Sequence, residues 1–91
     1  MKRANINIIG IVQGVNFRHE VKNHANRLGI TGWIKNENNG SLSMVVEGEE
    51  EKLEHLIDWC KSGPSFARVK DVEVKFDEAT GEFKNFEIRY A

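Results

Sequence analysis

Residues 4–29 decide how the fold begins, and they read ANINIIGIVQGVNFRHEVKNHANRLG. Apolar and polar residues alternate at first but change phase after Ile8, which predicts a strand over residues 4–12 with a bulge or with both faces buried. The glycine-containing stretch 13–16 then predicts a loop. Beyond it, apolar residues recur every three or four positions up to Gly29, which predicts an amphipathic helix that ends at this glycine. The apolar face of this helix contains Phe17, Val21, Ala25 and Leu28.

Four more strands are predicted further along the chain. Residues 31–36 and 41–47 have the pattern of a hairpin, and the turn-forming sequence ENNG joins them at 37–40. Apolar residues alternate with charged residues at 72–76 and again at 86–90, which predicts two further strands with one buried face each.

A second helix is predicted between the hairpin and the last two strands. It begins in the acidic run at 49–51, because negative charge favours a helix N-terminus, and it ends at 62–64, where Gly and Pro occur. Its apolar face contains Leu53, Leu56, Ile57 and Cys60.

The complete element order is β-α-β-β-α-β plus a C-terminal strand. This order predicts an α+β fold in which two helices cover one face of a mostly antiparallel sheet, the ferredoxin-like α/β plait. With 91 residues, the chain is expected to form a single domain over residues 1–91. Because many unrelated functions share this architecture, the chemistry has to be inferred from particular residues.

Composition excludes several classes of function. A net charge of −1 argues against a general nucleic-acid binder, which usually carries a basic excess. Cys60 is the only cysteine, so neither an internal disulfide nor a zinc site made of thiolates is expected. No apolar run approaches the roughly 20 residues of a membrane helix. We therefore expect a cytoplasmic monomer with no metal, no cofactor, no nucleic acid and no membrane among its partners.

The sequence GIVQGVNFR at 10–18 is the stretch that indicates chemistry. A strand leads through a glycine loop into a helix, and the first amides of a helix have no partners within it. These amides and the positive end of the helix dipole favour a bound anion, and Gly14 allows the backbone to turn its amides inward. The stretch has neither the Lys-Ser or Lys-Thr of a P-loop nor the spacing of a dinucleotide-binding fingerprint.

Arg18 lies in the first turn of the predicted helix, where its charge opposes the helix dipole. Such a placement costs about 0.3–1 kcal/mol at an exposed position. Local conflicts of this kind are typical of functional sites. A bound phosphate would remove the conflict, since the guanidinium and the amides would then contact the same anion.

Two blocks of the chain resemble the signatures of the acylphosphatase family. The first is GIVQGVNFR at 10–18, and the second is GWIKNENNGSLSMVVEG at 32–48. The intervening LGITG and the closing FEIRY are also similar to that family, so the resemblance covers nearly the whole chain.

The resemblance implies an enzyme that hydrolyses acyl phosphates to a carboxylate and inorganic phosphate, without a metal or a covalent intermediate. It implies that Arg18 binds the substrate phosphate and that Asn36 orients the attacking water. It also implies that the loop cradles the phosphate with its amides. The phosphate-binding loop so defined contains Gln13, Gly14, Val15, Asn16, Phe17 and Arg18. Inorganic phosphate, the product, is expected to act as a competitive inhibitor.

Two other functions are compatible with the predicted fold. An RNA-binding module would stack bases on aromatic residues of its central strands, but the predicted strand 41–47 has none. A non-catalytic domain that binds an anion or effector is the second alternative, and the presence of both Arg18 and Asn36 argues against it.

Three residues beside the site have simpler explanations. His19 is expected to be an exposed helix residue, although it could bind phosphate when protonated. Asn16 is expected to do no more than cap the helix. Lys35 precedes Asn36 and is expected to point to the other face of the sheet.

The remaining conspicuous residues are expected to be structural. Trp33 and Trp59 are expected to pack hydrophobically rather than to line a substrate pocket. Cys60 is expected in the core rather than as a nucleophile. The acidic run 47–54 is expected to be a solvated helix start.

Overall fold

The computed structural model describes residues 1–90, and its element order is the one predicted. It contains five strands and two helices, with bounds close to those expected from the periodicity. The elements are β1 (Lys2–Ile11), α1 (Phe17–Leu28), β2 (Thr31–Asn36), β3 (Leu42–Gly48), α2 (Glu50–Ser62), β4 (Arg68–Glu78) and β5 (Phe86–Arg89).

The strands form one mixed sheet in the order β4-β1-β3-β2-β5. β1 pairs antiparallel with β3 and β4, and β2 pairs antiparallel with β3. Only β5, which lies beside β2, is parallel to its neighbour. The predicted α+β plait with a mostly antiparallel sheet is therefore confirmed. One consequence matters for the site: β3 separates β1 from β2, so the ends of these two strands are not hydrogen-bonded to each other.

Of the two alternatives predicted for β1, a bulge or burial of both faces, the structure contains the bulge. The register between β1 and β4 shifts between Ile9 and Gly10. Pairing of β1 with β3 ends at Ile8, opposite Leu42, so the last residues of β1 are held by β4 alone. A Cβ atom on Gly10 would lie 2.1 Å from the Arg68 carbonyl oxygen, so only glycine fits at this close approach. The bulge thus directs the chain out of the sheet and into the loop before α1.

Both helices cover the same face of the sheet and enclose the core. Along β1 the residues Ala4, Ile6 and Ile8 are buried, whereas the alternating positions between them are only half-buried. Phe17 of α1 packs edge-to-face on Trp59 of α2, with ring centroids 5.5 Å apart. All four residues of the predicted apolar face of α2 are buried, as are Phe17, Val21 and Ala25 of α1. Neither helix is long and apolar enough to cross a membrane within residues 1–90.

The prediction that the acidic run 47–54 is solvated is wrong at Glu47. Its side chain is only 4% exposed and accepts hydrogen bonds from Arg3 Nε (2.8 Å), Thr80 N (2.9 Å) and Gly81 N (3.0 Å). Arg3 also binds Glu82 on its outer side. Burial raises the pKa of the Glu47 carboxyl, but these hydrogen bonds and the Arg3 charge outweigh burial and hold that pKa below its ordinary value. This network ties the connection before β5 to the start of β1.

Candidate active site

The loop between β1 and α1 has the conformation of an anion-binding turn. Gly14 and Asn16 both adopt left-handed backbone angles, with φ of 75° and 65°. Alternation of left-handed residues with ordinary residues directs successive N–H groups into one concavity. Asn16 occupies the N-cap position of α1, but its side chain makes no capping hydrogen bond. Asn16 is therefore the cap residue by position, as expected, but it contributes its left-handed backbone conformation and no side-chain hydrogen bond.

The backbone amides of this loop are free to bind a ligand. The first hydrogen bond into α1 is donated by the Glu20 amide to the Asn16 carbonyl, at 3.3 Å. Within residues 1–90, the amides from Gly14 to Arg18 donate no hydrogen bond. They lie at the N-terminus of a 12-residue helix, where the dipole adds partial positive charge.

Arg18 and Asn36, which are far apart in sequence, line the same cleft of about 390 Å³. Arg18 comes from the first turn of α1 and Asn36 is the last residue of β2. Gln13 of the loop lines the cleft as well. The side chain of Phe17, in contrast, is buried in the core, and Val15 packs against the core. Of the predicted loop 13–18, the structure therefore places Gln13 and Arg18 in the lining of the cleft, and residues 14–17 are not part of that lining.

The Arg18 guanidinium has no acidic partner among residues 1–90. It lies instead against the ring of Tyr90, with its Cζ 5.1 Å from the ring centroid. A cation–π contact of this kind holds the arginine without neutralising its charge. The charge therefore remains available to an anion in the cleft.

The Asn36 side chain contains a buried oxygen that lacks a hydrogen-bond donor among residues 1–90. Its Oδ1 is buried and has no hydrogen-bond partner in the part of the chain that the structure describes. An unpaired buried acceptor destabilises a fold by about 1–3 kcal/mol, so such a group indicates a ligand. A donor bound in the cleft, such as water, would satisfy it.

The cleft has further walls that sequence patterns did not indicate. Glu37 and Asn38 belong to the β2–β3 turn, and Arg89 and Tyr90 come from the end of β5 and the residue after it. Tyr90 was predicted to continue the last strand, but β5 ends at Arg89 and the Tyr90 side chain is largely exposed. The closing FEIRY of the family resemblance contains Tyr90, but no sequence pattern placed Tyr90 at the cleft.

Lys35 and Trp33 lie on the sheet face opposite the helices. This placement confirms the prediction for Lys35, whose Nζ lies 5.6 Å from the centre of the Trp33 ring. The prediction of hydrophobic packing holds for Trp59, which packs against the core, but it is wrong for Trp33. On its other side Trp33 contacts Arg89, whose Cζ is 5.0 Å from the ring centroid.

Other candidate groups do not belong to the site. His19 is exposed, as expected. Burial raises the pKa of the Cys60 thiol to about 12, which confirms a core residue and makes it a poor nucleophile. Among residues 1–90, no three His, Cys, Asp or Glu side chains lie close enough to hold a metal ion.

Comparison with known proteins assigns a family to this fold and cleft. A family model described as acylphosphatase matches residues 4–88. The chain is 50% identical over 88 residues to an acylphosphatase of Geotalea uraniireducens, covering 97% of each chain. It is 44% identical over 88 residues to an acylphosphatase of Roseiflexus sp., covering 97% of this chain and 95% of the relative. The crystal structure of acylphosphatase from Bacillus subtilis superposes with a TM-score of 0.95 at 32% identity, covering 99% of this chain and 100% of that one.

Proposed function

We propose a mechanism for this chain, which belongs to the acylphosphatase family and hydrolyses acyl phosphates. Arg18 binds the phosphoryl group and Asn36 positions the water that attacks it. One observation carries the proposal: Arg18, which has no acidic partner among residues 1–90, and Asn36, whose buried amide oxygen has no donor there, line the same cleft.

Phosphate binding is assigned to the loop and to Arg18. The amides from Gly14 to Arg18 stand at the positive end of α1, and the Arg18 guanidinium offers N–H donors in the fork geometry that fits phosphate oxygens. Both sets of donors are in place before substrate arrives, so little reorganisation is needed when charge develops on the phosphoryl oxygens. Inorganic phosphate presents the same oxygens, and we propose that it competes with substrate for this position.

The Asn36 oxygen is assigned to the water. When water donates a hydrogen to Asn36 Oδ1, one of its lone pairs is free to attack phosphorus in line with the leaving group. The new P–O bond forms as the bond to the acyl oxygen breaks, and the acyl group leaves as a carboxylate of low basicity. Because this leaving group needs no general acid, a phosphoryl oxygen can accept the water proton and no enzyme group has to titrate.

The remaining assignments extend the same proposal. We propose that residues 1–91 form a single domain that works as a cytoplasmic monomer on a small-molecule acyl phosphate. In this proposal the loop amides, Arg18 and Asn36 supply every role without a metal or a cofactor. Nothing in the comparisons favours a non-catalytic anion-binding domain.

The experiment separates phosphate binding from turnover. Hydrolysis of benzoyl phosphate is followed in EDTA, and phosphate affinity is measured both by titration and as a competitive inhibition constant. Arg18→Gln should lose turnover by about 100-fold or more and should lose phosphate binding as well. Asn36→Ala should lose turnover to a similar extent but bind phosphate normally. Lys35→Ala, which changes the residue beside Asn36 on the opposite face, is the matched control and should retain activity.

The outcomes that contradict each part are distinct. Absence of hydrolysis by folded wild-type protein in EDTA would contradict a metal-independent reaction. Wild-type turnover in Asn36→Ala would remove the water-positioning role. Normal phosphate binding in Arg18→Gln would leave the amides as the only phosphate site.

A further inference from the structure

The side chain of Gln13 makes a connection that the proposed mechanism does not use. Its amide nitrogen donates to the Glu37 carbonyl oxygen at 2.8 Å and to the Ser41 carbonyl oxygen at 3.0 Å. A primary amide nitrogen has two N–H groups, so both donors are used. The Gln13 side chain therefore has no N–H left for a phosphate, and only its backbone amide can contribute to the loop.

The two carbonyl groups that Gln13 binds are the ends of the turn that follows Asn36. The Glu37 amide donates to the Ser41 carbonyl at 2.9 Å, which closes the turn. Asn39 Oδ1 accepts from the Ser41 amide (3.0 Å) and hydroxyl (2.7 Å), which orders the turn internally. Because Glu37 is bonded directly to Asn36, holding the Glu37 carbonyl restrains the residue assigned to the water.

Nothing in the sheet provides the same restraint. Pairing of β1 with β3 ends at Ile8, and pairing of β2 with β3 ends at Asn36; both residues lie opposite Leu42, the first residue of β3. Past Leu42 no strand remains between the two chain segments. Gln13 spans this gap and joins the phosphate loop to the water-positioning end of β2.

We propose that Gln13 is a positioning residue that sets the distance between the bound phosphorus and the water held by Asn36. This inference rests on the mechanism proposed above. A displacement of about 1 Å between reacting groups can reduce turnover by about 100-fold, so a link between two short loops is sufficient to control the rate. Gln13 acts on turnover through Asn36 and contributes little to phosphate affinity.

Two substitutions test the link in opposite ways. Gln13→Met keeps the approximate shape and removes both donors, and it should lower kcat for benzoyl phosphate by about 10-fold. Gln13→Glu places a carboxylate against two carbonyl oxygens and should lower kcat further near neutral pH. The two carbonyl oxygens at hydrogen-bond distance and the nearby Glu37 carboxylate favour the acid form of this residue, against the opposing effect of the cations Arg18 and Arg89 in the same cleft. The acid form therefore appears as pH falls and can donate one hydrogen bond. The kcat of Gln13→Glu should therefore recover toward acid pH, whereas the kcat of wild type and Gln13→Met should not.

Asn39→Ala is the matched control. It removes two hydrogen bonds inside the same turn but leaves both bonds from Gln13 in place. Its kcat should stay within about 3-fold of wild type, and the phosphate inhibition constant should change little in Asn39→Ala and Gln13→Met. The carboxylate of Gln13→Glu, which lies in the cleft with Arg18, should weaken phosphate binding near neutral pH. Gln13→Met introduced into Asn36→Ala should have no further effect, because residues that act through one another are not additive.

The outcomes separate this inference from the proposed mechanism. Wild-type kcat in Gln13→Met, with Asn36→Ala inactive, would overturn the inference and leave the mechanism standing. In Gln13→Met, a loss of phosphate affinity equal to the loss of kcat would also overturn it, as would a loss of kcat in Asn39→Ala equal to that in Gln13→Met, because either result indicates general disorder of the loops. If Gln13→Met does not fold, the dependence of kcat on pH in Gln13→Glu tests the inference instead. A kcat that does not recover toward acid pH overturns it. Full activity of Asn36→Ala would instead contradict the mechanism.

Discussion

Replacing Glu47 with glutamine should destabilise the fold without slowing the reaction. The Glu47 Oε2 atom accepts hydrogen bonds from Arg3 and Thr80, and Oε1 accepts from the Gly81 amide at 3.0 Å. The glutamine oxygen can still accept the hydrogen bonds from Arg3 and Thr80. The glutamine NH2 group then faces the Gly81 N–H, and two donors cannot form a hydrogen bond. One hydrogen bond is lost, and the remaining hydrogen bonds become weaker because their acceptor is no longer charged.

The size of the effect follows from these contacts. A hydrogen bond to a charged group contributes about 1.5–3 kcal/mol and a neutral one about 0.5–1.5 kcal/mol. Thr80 and Gly81 are exposed enough to recover part of the loss from water. We therefore expect a decrease in the free energy of unfolding of about 2–3 kcal/mol, or about 10–20 °C in Tm for a domain of this size.

The lowered pKa of Glu47 determines how the stability difference between wild type and Glu47→Gln changes with pH. The pKa of Glu47 is lower in the folded protein than its ordinary value, so its contribution is complete above the unfolded pKa and is lost as pH falls through the folded pKa. Urea unfolding of wild type and Glu47→Gln, measured from neutral pH to about pH 3, should show a difference that shrinks below about pH 4.3. Glu82→Gln is the matched control, because Glu82 binds the same arginine from the exposed side, and its midpoint should barely change.

Two results would refute this reasoning. A difference below about 1 kcal/mol near neutral pH would mean that the network contributes no more than a surface ion pair. A difference that persists unchanged at acid pH would assign the effect to packing rather than to charge. Glu47 pairs with the start of β1, whereas the cleft forms beyond the end of β1. The kcat measured at temperatures well below Tm should therefore be unaffected.

Two further predictions concern the interior. A Cβ on Gly32 would lie 2.0 Å from the Val45 carbonyl oxygen, and its φ is 138°, so Gly32→Ala should reduce the free energy of unfolding by about 3 kcal/mol or more in urea. Gly81→Ala, whose Cβ meets nothing within 4 Å, is its control; a loss as large as that of Gly32→Ala would contradict the steric argument. Cys60, buried and with its pKa raised to about 12, should resist a thiol reagent such as Ellman's reagent until the protein unfolds, and rapid labelling under native conditions would contradict this placement.

The elements of the fold could be predicted because their signals are local. The change of phase after Ile8 predicted the bulge that the structure places between Ile9 and Gly10. The helix that ends at Gly29 has the predicted face, because a period of 3.6 residues is visible within one element.

The errors concern contacts between residues that are distant in sequence. Glu47 resembled the solvated acidic residues that follow it, but its partner Arg3 lies 44 positions away on the neighbouring strand. Trp33 resembled a core residue, but alternation places it on the face opposite the helices, where cations from β2 and from the last strand flank it. No local pattern contains these pairings, because the order of strands in the sheet creates them.

The same distinction between local signals and contacts of distant residues applies to the site. The sequence by itself determined that an arginine follows a glycine loop at the start of a helix, which predicts an anion site because free amides and the helix dipole are properties of one helix end. Only the tertiary structure decided that Asn36 lines that cleft, that its buried oxygen has no partner among residues 1–90, and that Gln13 joins the two loops. The physical reason is that β3 lies between β1 and β2, and the geometry at the strand ends depends on side chains that reach across this gap.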